Sequence, residues 1–238
     1  MRVRSGDISK IIEYFKHTEI DEKTLNRLFY YSLFDFRSFE LDEDFFPAVM
    51  VKDFREKTRN ILKKIFTQKQ PRVYNFLKSR KDFNEFETKV IGTDILGRIL
   101  ISKQLSYLGL KAKVRKTSDF DLEINNINIE LKRICLWSSY SDYLFKFLDK
   151  INKGDNYIYV VACTHPFVIE KIIPKHKNLK IFNKYIDKIV KSHYIAEKLI
   201  DNKNVKFVIG FIDRDGRNGY SLQSLCKEIQ QKVKEFGD

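Results

Sequence analysis

Alternating apolar and polar residues between 118 and 133 predict two β-strands joined by a tight turn. Apolar side chains recur at every second position on both sides of Asn125 and Asn126, which is the period of a half-buried strand. Asparagine tolerates positive φ, so this pair suits a two-residue turn. With the pair at the tip, one face of the hairpin is apolar, and Asp121 faces Glu130 on the other.

The patterns elsewhere predict an α/β chain. Helical spacing of apolar residues predicts two short helices within 7–34 and further helices at 52–70, 84–108, 138–152, 185–200 and 221–236. Strands are predicted at 111–116, 157–163 and 205–211. The run at 157–163 is apolar throughout, which is typical of a strand buried on both faces.

The charged face of the hairpin needs an explanation. Directly opposed residues in a sheet have Cβ atoms about 4.5 to 5.5 Å apart, and like charges there are destabilising. A divalent cation between Asp121 and Glu130 would remove that repulsion. Lys132 lies two residues beyond Glu130 on the same face, where it could orient a phosphate during metal-assisted hydrolysis. The alternative is an edge hairpin with a solvated face, in which Lys132 pairs with Asp119.

Asp121 followed by Glu130-Leu131-Lys132 resembles the D…(D/E)xK signature of the PD-(D/E)XK nuclease superfamily. That superfamily includes restriction endonucleases and archaeal Holliday junction resolvases. Phe120 stands where many members have proline. The predicted order of helix, three strands, helix and strand over about 85–163 also resembles the superfamily core.

The resemblance implies a set of site residues and a cofactor. Asp121, Glu130 and the backbone carbonyl of Leu131 would bind Mg²⁺, with Mn²⁺ as the alternative ion. Lys132 would act in catalysis. Members often carry an acid on the first core helix, and Asp94 is the candidate here.

The resemblance also implies a fold and a division of the chain. The expected fold is a restriction-endonuclease-like mixed sheet flanked by helices, with a C-terminal strand and helix added. Residues 1–84 would form a basic, helical region that contacts DNA, and residues 85–238 would form the nuclease domain.

The charge balance predicts a polyanionic partner. The 238 residues carry a formal net charge of +13, and a field of that sign strengthens association with nucleic acid. Between 52 and 81, eleven basic residues stand against two acidic ones. The residues predicted to contact DNA are Lys63, Lys64, Arg72, Arg214 and Arg217.

Cysteine usage and hydropathy indicate a cytoplasmic protein. Cys135, Cys163 and Cys226 are far apart and lie in or beside apolar segments, which favours buried thiols over disulfides or a zinc cluster. The sequence shows no apolar signal region at its start, and no apolar run approaches about 18 residues.

Three functions remain open on the sequence. The first is a Mg²⁺-dependent endonuclease of the type II restriction kind, acting on double-stranded DNA as a homodimer with one active site for each strand. The second is a structure-specific or repair nuclease, such as a Holliday junction resolvase. The third is a DNA-binding protein that keeps the fold without catalysis.

Overall fold

Helices and a mixed β-sheet make up the part of the chain that the structure describes. The computed structural model describes residues 13–33, 48–69, 74–75, 84, 95–115, 120–134, 146–152, 154–164, 191, 204–217 and 220–237. Its helices are α1 (Glu22–Ser32), α2 (Ala48–Lys69), α3 (Ile95–Tyr107) and α4 (Leu222–Lys234). Its strands are β1 (Lys113–Val114), β2 (Leu122–Ile124), β3 (Ile127–Ile134), β4 (Asn156–Thr164) and β5 (Val205–Ile212). Residues 13–17 and 146–148 are also helical.

The five strands lie in the order β1-β2-β3-β4-β5. The pairs β1–β2 and β2–β3 are antiparallel, whereas β3–β4 and β4–β5 are parallel. This confirms the predicted α/β class, with a mixed sheet flanked by helices. Membership of a restriction-endonuclease-like core stays a prediction.

The residues of β2 have the register that the sequence predicts, but the predicted pairing of Asp121 with Glu130 is wrong, because the N–H of Asp121 bonds to the carbonyl of Ile129. Leu122 pairs with Ile129 and Ile124 with Ile127. The turn residues Asn125 and Asn126 have φ angles of 48° and 65°, and two consecutive positive φ values are the mark of a type I′ turn, whose twist matches that of the strands. The turn therefore sets which hairpin residues enter the core.

The strands have a hydrophobic core on each face of the sheet. The larger core joins the apolar face of the hairpin and alternate residues of β4 to all four helices. The smaller core is rich in aromatic residues and includes Phe147, Tyr159 and Phe207. Residues 157–162 of β4 are buried throughout, which confirms the prediction from the apolar run.

The larger core crosses the predicted boundary between the N-terminal region and the nuclease domain. Leu28 of α1 and Leu62 of α2 belong to the same cluster as Leu96 of α3 and Leu225 of α4. The described parts on both sides of residue 84 therefore share one core. Residues 85–94 lie outside the described part, so the boundary itself stays a prediction.

Strand β1 covers only residues 113–114 of the predicted segment 111–116, and α3 bonds to the backbone on both sides of it. Ser102 of α3 donates its hydroxyl proton to the carbonyl of Ala112 at 2.9 Å. Arg98, one turn earlier, donates to the carbonyl of Arg115 at 2.8 Å. Helix α3 is thus attached to both ends of β1.

Other predictions also have an outcome in the described residues. Cys226 is a buried, reduced thiol, as expected. None of the described helices is both long enough and apolar enough to cross a bilayer. The predicted helix at 185–200 lies almost entirely outside the described residues.

Asn26 connects α1 to the turn between β5 and α4. Its buried amide donates to the carbonyls of Asp213 and Arg214 at 2.8 and 2.9 Å. Its Oδ1 accepts the backbone N–H of Leu222 at 2.8 Å. One side chain therefore satisfies three backbone groups of a segment nearly 200 residues away.

We expect Asn26→Ala to lower the free energy of unfolding by about 2 to 4 kcal/mol, because several buried polar groups lose their partner at about 1 to 3 kcal/mol each. Urea unfolding followed by circular dichroism measures the change. The same substitution at exposed Asn60 of α2 should change it by no more than about 0.5 kcal/mol. Equal effects at the two positions would contradict a structural role for Asn26.

Candidate active site

Asp121 lies at a break in the regular pairing of β2 and β3. Its backbone N–H donates to the carbonyl of Ile129 at 3.0 Å, although Ile129 is the register partner of Leu122. Two residues thus face one, which is the arrangement of a β-bulge. Oδ2 of Asp121 accepts the backbone N–H of Leu131 at 2.7 Å, so a carboxylate occupies a place that a backbone carbonyl normally takes.

Arg98 of α3 binds the other oxygen of this carboxylate. Its Nη2 lies 2.6 Å from Oδ1 of Asp121, and its Nη1 donates to the carbonyl of Arg115 at 2.8 Å. The N–H of Arg115 in turn donates to the carbonyl of Asp121 at 3.0 Å. These contacts form a closed ring that fixes the orientation of the Asp121 carboxylate.

Glu130 and Lys132 lie two residues apart on β3 and so share a face of the sheet. Their register partners on β4 are Tyr159 and Val161, which belong to the aromatic core. The Lys132 ammonium forms an ion pair with Oε1 of Glu130. Glu130 is 4% exposed and Asp121 8%, so both carboxylates are largely withdrawn from water.

The two carboxylates are close enough to repel each other. Burial, and after it the negative charge of Glu130, raise the pKa of Asp121 from 3.8 to about 6. Arg98, the N–H of Leu131 and Lys132 lower the pKa, but burial and Glu130 outweigh them. This repulsion is the feature that the sequence predicted for the charged face of the hairpin.

The structure brings together four of the predicted site residues: Asp121, Glu130, Leu131 and Lys132. The N–H and carbonyl of a strand residue point towards the same neighbouring strand. Since the N–H of Leu131 bonds to Asp121, its carbonyl lies on the same side. Asp94 lies outside the described residues, so its place at the site stays a prediction.

Arg98 is the residue of this site that the sequence analysis missed. It is the sole charged residue between 95 and 101, a segment otherwise made of aliphatic residues and glycine. A cation in the middle of such a run is costly to bury unless it has a partner. That cost is the signal by which Arg98 could have been found.

The oxygen atoms of the site suit a hard divalent cation. Among the described residues, no three His, Cys, Asp or Glu side chains form a group that would hold a metal. Mg²⁺, however, is commonly held by one or two carboxylates together with water and substrate phosphate. Asp121, Glu130 and the carbonyl of Leu131 fit that requirement, with Asp94 as a further candidate ligand.

The predicted DNA-contacting residues of α2 lie on its exposed face. Thr58, Leu62, Ile65 and Phe66 are buried. The exposed lysines of the described part of this helix are Lys57, Lys63, Lys64 and Lys69. Lys64 and Lys69 also line a cavity of about 670 Å³ that lies between α2, the start of α1 and Tyr107 at the end of α3. Arg72 lies outside the described residues.

Arg214 and Arg217, the other predicted DNA contacts, lie in the exposed turn after β5. Nη2 of Arg214 lies 2.6 Å from Oδ2 of Asp215. This hydrogen bond, helped by Arg27, lowers the pKa of Asp215 to about 2. The charge of Arg214 is therefore partly balanced within the protein, while the backbone N–H of Arg217 bonds to Asp213 at 2.8 Å.

The raised pKa of Asp121 predicts a pH-dependent contribution to stability. Between about pH 4 and 6 the folded protein retains a proton on Asp121 that the unfolded chain has lost. Raising the pH through this window should therefore cost about 2 to 3 kcal/mol of unfolding free energy from this group. Asp121→Asn removes this titrating group. The difference in unfolding free energy between the variant and the wild type should therefore change by about 2 to 3 kcal/mol across the window.

Chemical unfolding in EDTA at half-unit steps from pH 4 to 7 measures this difference. Asp149→Asn, at an exposed position, is the matched control and should follow the wild type. A constant difference between Asp121→Asn and wild type across the window would refute the raised pKa.

Comparisons with known sequences and structures identify no relative of this chain. No family model, no curated protein and no solved structure matches the chain. A function therefore has to follow from the residues that surround Asp121 and from the surface around them.

Proposed function

We propose that the chain is a divalent-metal-dependent endonuclease that hydrolyses phosphodiester bonds in DNA. The observation that carries this proposal is the buried pair of Asp121 and Glu130, with Lys132 bound to the second carboxylate. Two carboxylates that repel each other inside a protein are a poor structural element but a good site for a cation.

Each residue has a chemical role in this proposal. Asp121, Glu130 and the Leu131 carbonyl hold Mg²⁺ or Mn²⁺, which would polarise a phosphate oxygen and acidify a water molecule. Lys132 places an ammonium group beside Glu130, where its N–H groups orient the attacking water or stabilise negative charge on the phosphate. The ring of contacts through Arg98 holds Asp121 in place.

The order of elements supports a restriction-endonuclease-like core. Helix α3 is followed by β1, β2 and β3, then by helical residues at 146–148 and by β4. That is the sequence of elements that the superfamily resemblance implies, and Asp121 and Glu130 stand on its central hairpin. A type II restriction-like enzyme acting on double-stranded DNA as a homodimer is the version we favour.

DNA is the substrate that the charge distribution favours. The net charge is +13, and the exposed Lys57, Lys63 and Lys64 lie on the side of α2 that faces away from the core. Because that core also holds α3, the basic face has a fixed position relative to the site. A basic surface on a rigid support is suited to the phosphate backbone of a duplex.

A non-catalytic DNA-binding protein is the second candidate, and one observation favours it. Each carboxylate already has a cation beside it, Arg98 at Asp121 and Lys132 at Glu130. A buried, internally balanced ion cluster can also be a purely structural feature. The two candidates differ in what the removal of Lys132 does.

We expect the purified protein to cut plasmid DNA when Mg²⁺ is present, and we expect Lys132→Met to cut it about 10² to 10⁴ times more slowly because acid-base assistance is lost. Single-turnover digestion followed on gels measures the rates. Discrete fragments indicate a restriction enzyme, and cutting confined to branched DNA indicates a resolvase-like nuclease.

The controls separate catalysis from folding and binding. Lys113→Met removes an exposed lysine from β1 and should cut at nearly the wild-type rate. A titration of duplex DNA in Ca²⁺ should give similar affinities for all three proteins, since one charge is a small part of the backbone attraction. DNA binding without cutting by any of them would favour the non-catalytic candidate.

We expect the double variant Lys63→Ala, Lys64→Ala to bind every duplex more weakly and with a shallower salt dependence. Each lost phosphate contact removes roughly 0.9 from the slope of log affinity against log salt concentration. Fluorescence anisotropy at several salt concentrations measures the slope. The matched control is the double variant Lys227→Ala, Lys234→Ala, which removes two exposed lysines of α4. Equal salt-dependence slopes in the two double variants would show that the lysines of α2 have no special role in DNA binding.

A further inference from the structure

The candidate site carries its own counter-charges. Asp121 is bound to Arg98 and Glu130 to Lys132. With both acids ionised, these two carboxylates and two cations sum to zero charge. The carboxylates are nearly excluded from water, so the solvent screens any added charge only weakly.

Arg98 is held near Asp121 by more than its attraction to the carboxylate. Its Nη1 bonds to the carbonyl of Arg115, and its side chain is 15% exposed. Arg115 is itself fixed by an ion pair with Glu123. The guanidinium therefore stays beside the site when a further cation enters it.

We propose that Arg98 is a positioning residue whose charge makes the binding of a divalent cation at this site depend on DNA. The inference rests on the nuclease function proposed above. A doubly charged ion entering a neutral, buried cluster leaves an uncompensated charge of +2. A DNA phosphate supplies negative charge to that ion, so the ion and the DNA should each strengthen the binding of the other.

Removing the charge of Arg98 should weaken this dependence. The cluster then has a net charge of −1 and attracts a cation without DNA. A charge within about 4 to 6 Å changes the protonation equilibrium of a carboxyl by about 10- to 1000-fold. We therefore expect Arg98→Met to bind Mn²⁺ at least about tenfold more tightly than the wild type when DNA is absent.

The experiment is a Mn²⁺ titration followed by electron paramagnetic resonance, which counts unbound ion. Each full-length protein is titrated alone and with a phosphorothioate duplex, which keeps its negative charge but resists cutting; the duplex alone gives the background. The wild type should bind Mn²⁺ at least about tenfold more tightly with DNA than without it. In Arg98→Met the Mn²⁺ affinity without DNA should rise, and the ratio of the affinity with DNA to the affinity without DNA should fall.

Two variants separate charge from structure. Arg98→Lys keeps the charge but loses the forked hydrogen bonding, so it should bind Mn²⁺ as weakly as the wild type when DNA is absent. Arg27→Met removes a cation that is paired with Asp215 at a different place, and it should leave Mn²⁺ binding unchanged. If Arg98→Met fails to fold, Lys132→Met removes one positive charge from the same cluster and should tighten Mn²⁺ binding in the same way.

The outcomes distinguish this inference from the function on which it rests. A wild type that cuts DNA, together with charge-removing variants that bind Mn²⁺ no more tightly than it does, overturns the role of Arg98 and leaves the nuclease intact. Tighter binding in Arg98→Lys as well as in Arg98→Met overturns it too, because the charge is then irrelevant. Absence of Mn²⁺ binding by the wild type even with DNA overturns both proposals.

Discussion

The hydrogen bond from the N–H of Leu131 to the Asp121 carboxylate is the contact on which the arrangement of the site depends. A side chain replaces a backbone carbonyl at the start of β2, which interrupts the ladder between β2 and β3 without leaving the donor unsatisfied. Because that oxygen is occupied, Arg98 meets the other one. The same break brings the Leu131 backbone to the site, beside Glu130 and Lys132.

The hairpin and the buried strand could be predicted from the sequence because both are local patterns. Period-two alternation and the asparagine turn set the pairing of Leu122 with Ile129, and an apolar run without interruption marked β4. The alternation continues through Asp121, however, whereas the regular pairing of β2 with β3 stops there. No local pattern shows that bulge, since it depends on whether the side chain or the backbone bonds to Leu131.

Contacts between distant elements account for what the sequence analysis missed. Arg98 joins the site because α3 lies against β1. The prediction of a basic face on α2 needed only helical spacing and charge. Its rigid attachment to the core through Leu62 and Phe66 needed the packing of four helices, which spacing alone does not determine.

The contacts of Asn26 have a consequence for how the chain reaches its folded state. This side chain on α1 completes its hydrogen bonds with groups at 213, 214 and 222, and β5 and α4 complete the same core. Contacts between residues so far apart in sequence are slow to form, because a long loop must close before they contribute. During synthesis, α1 must therefore wait for residue 222 to leave the ribosome, and until then part of its apolar face is a surface on which chaperones can act.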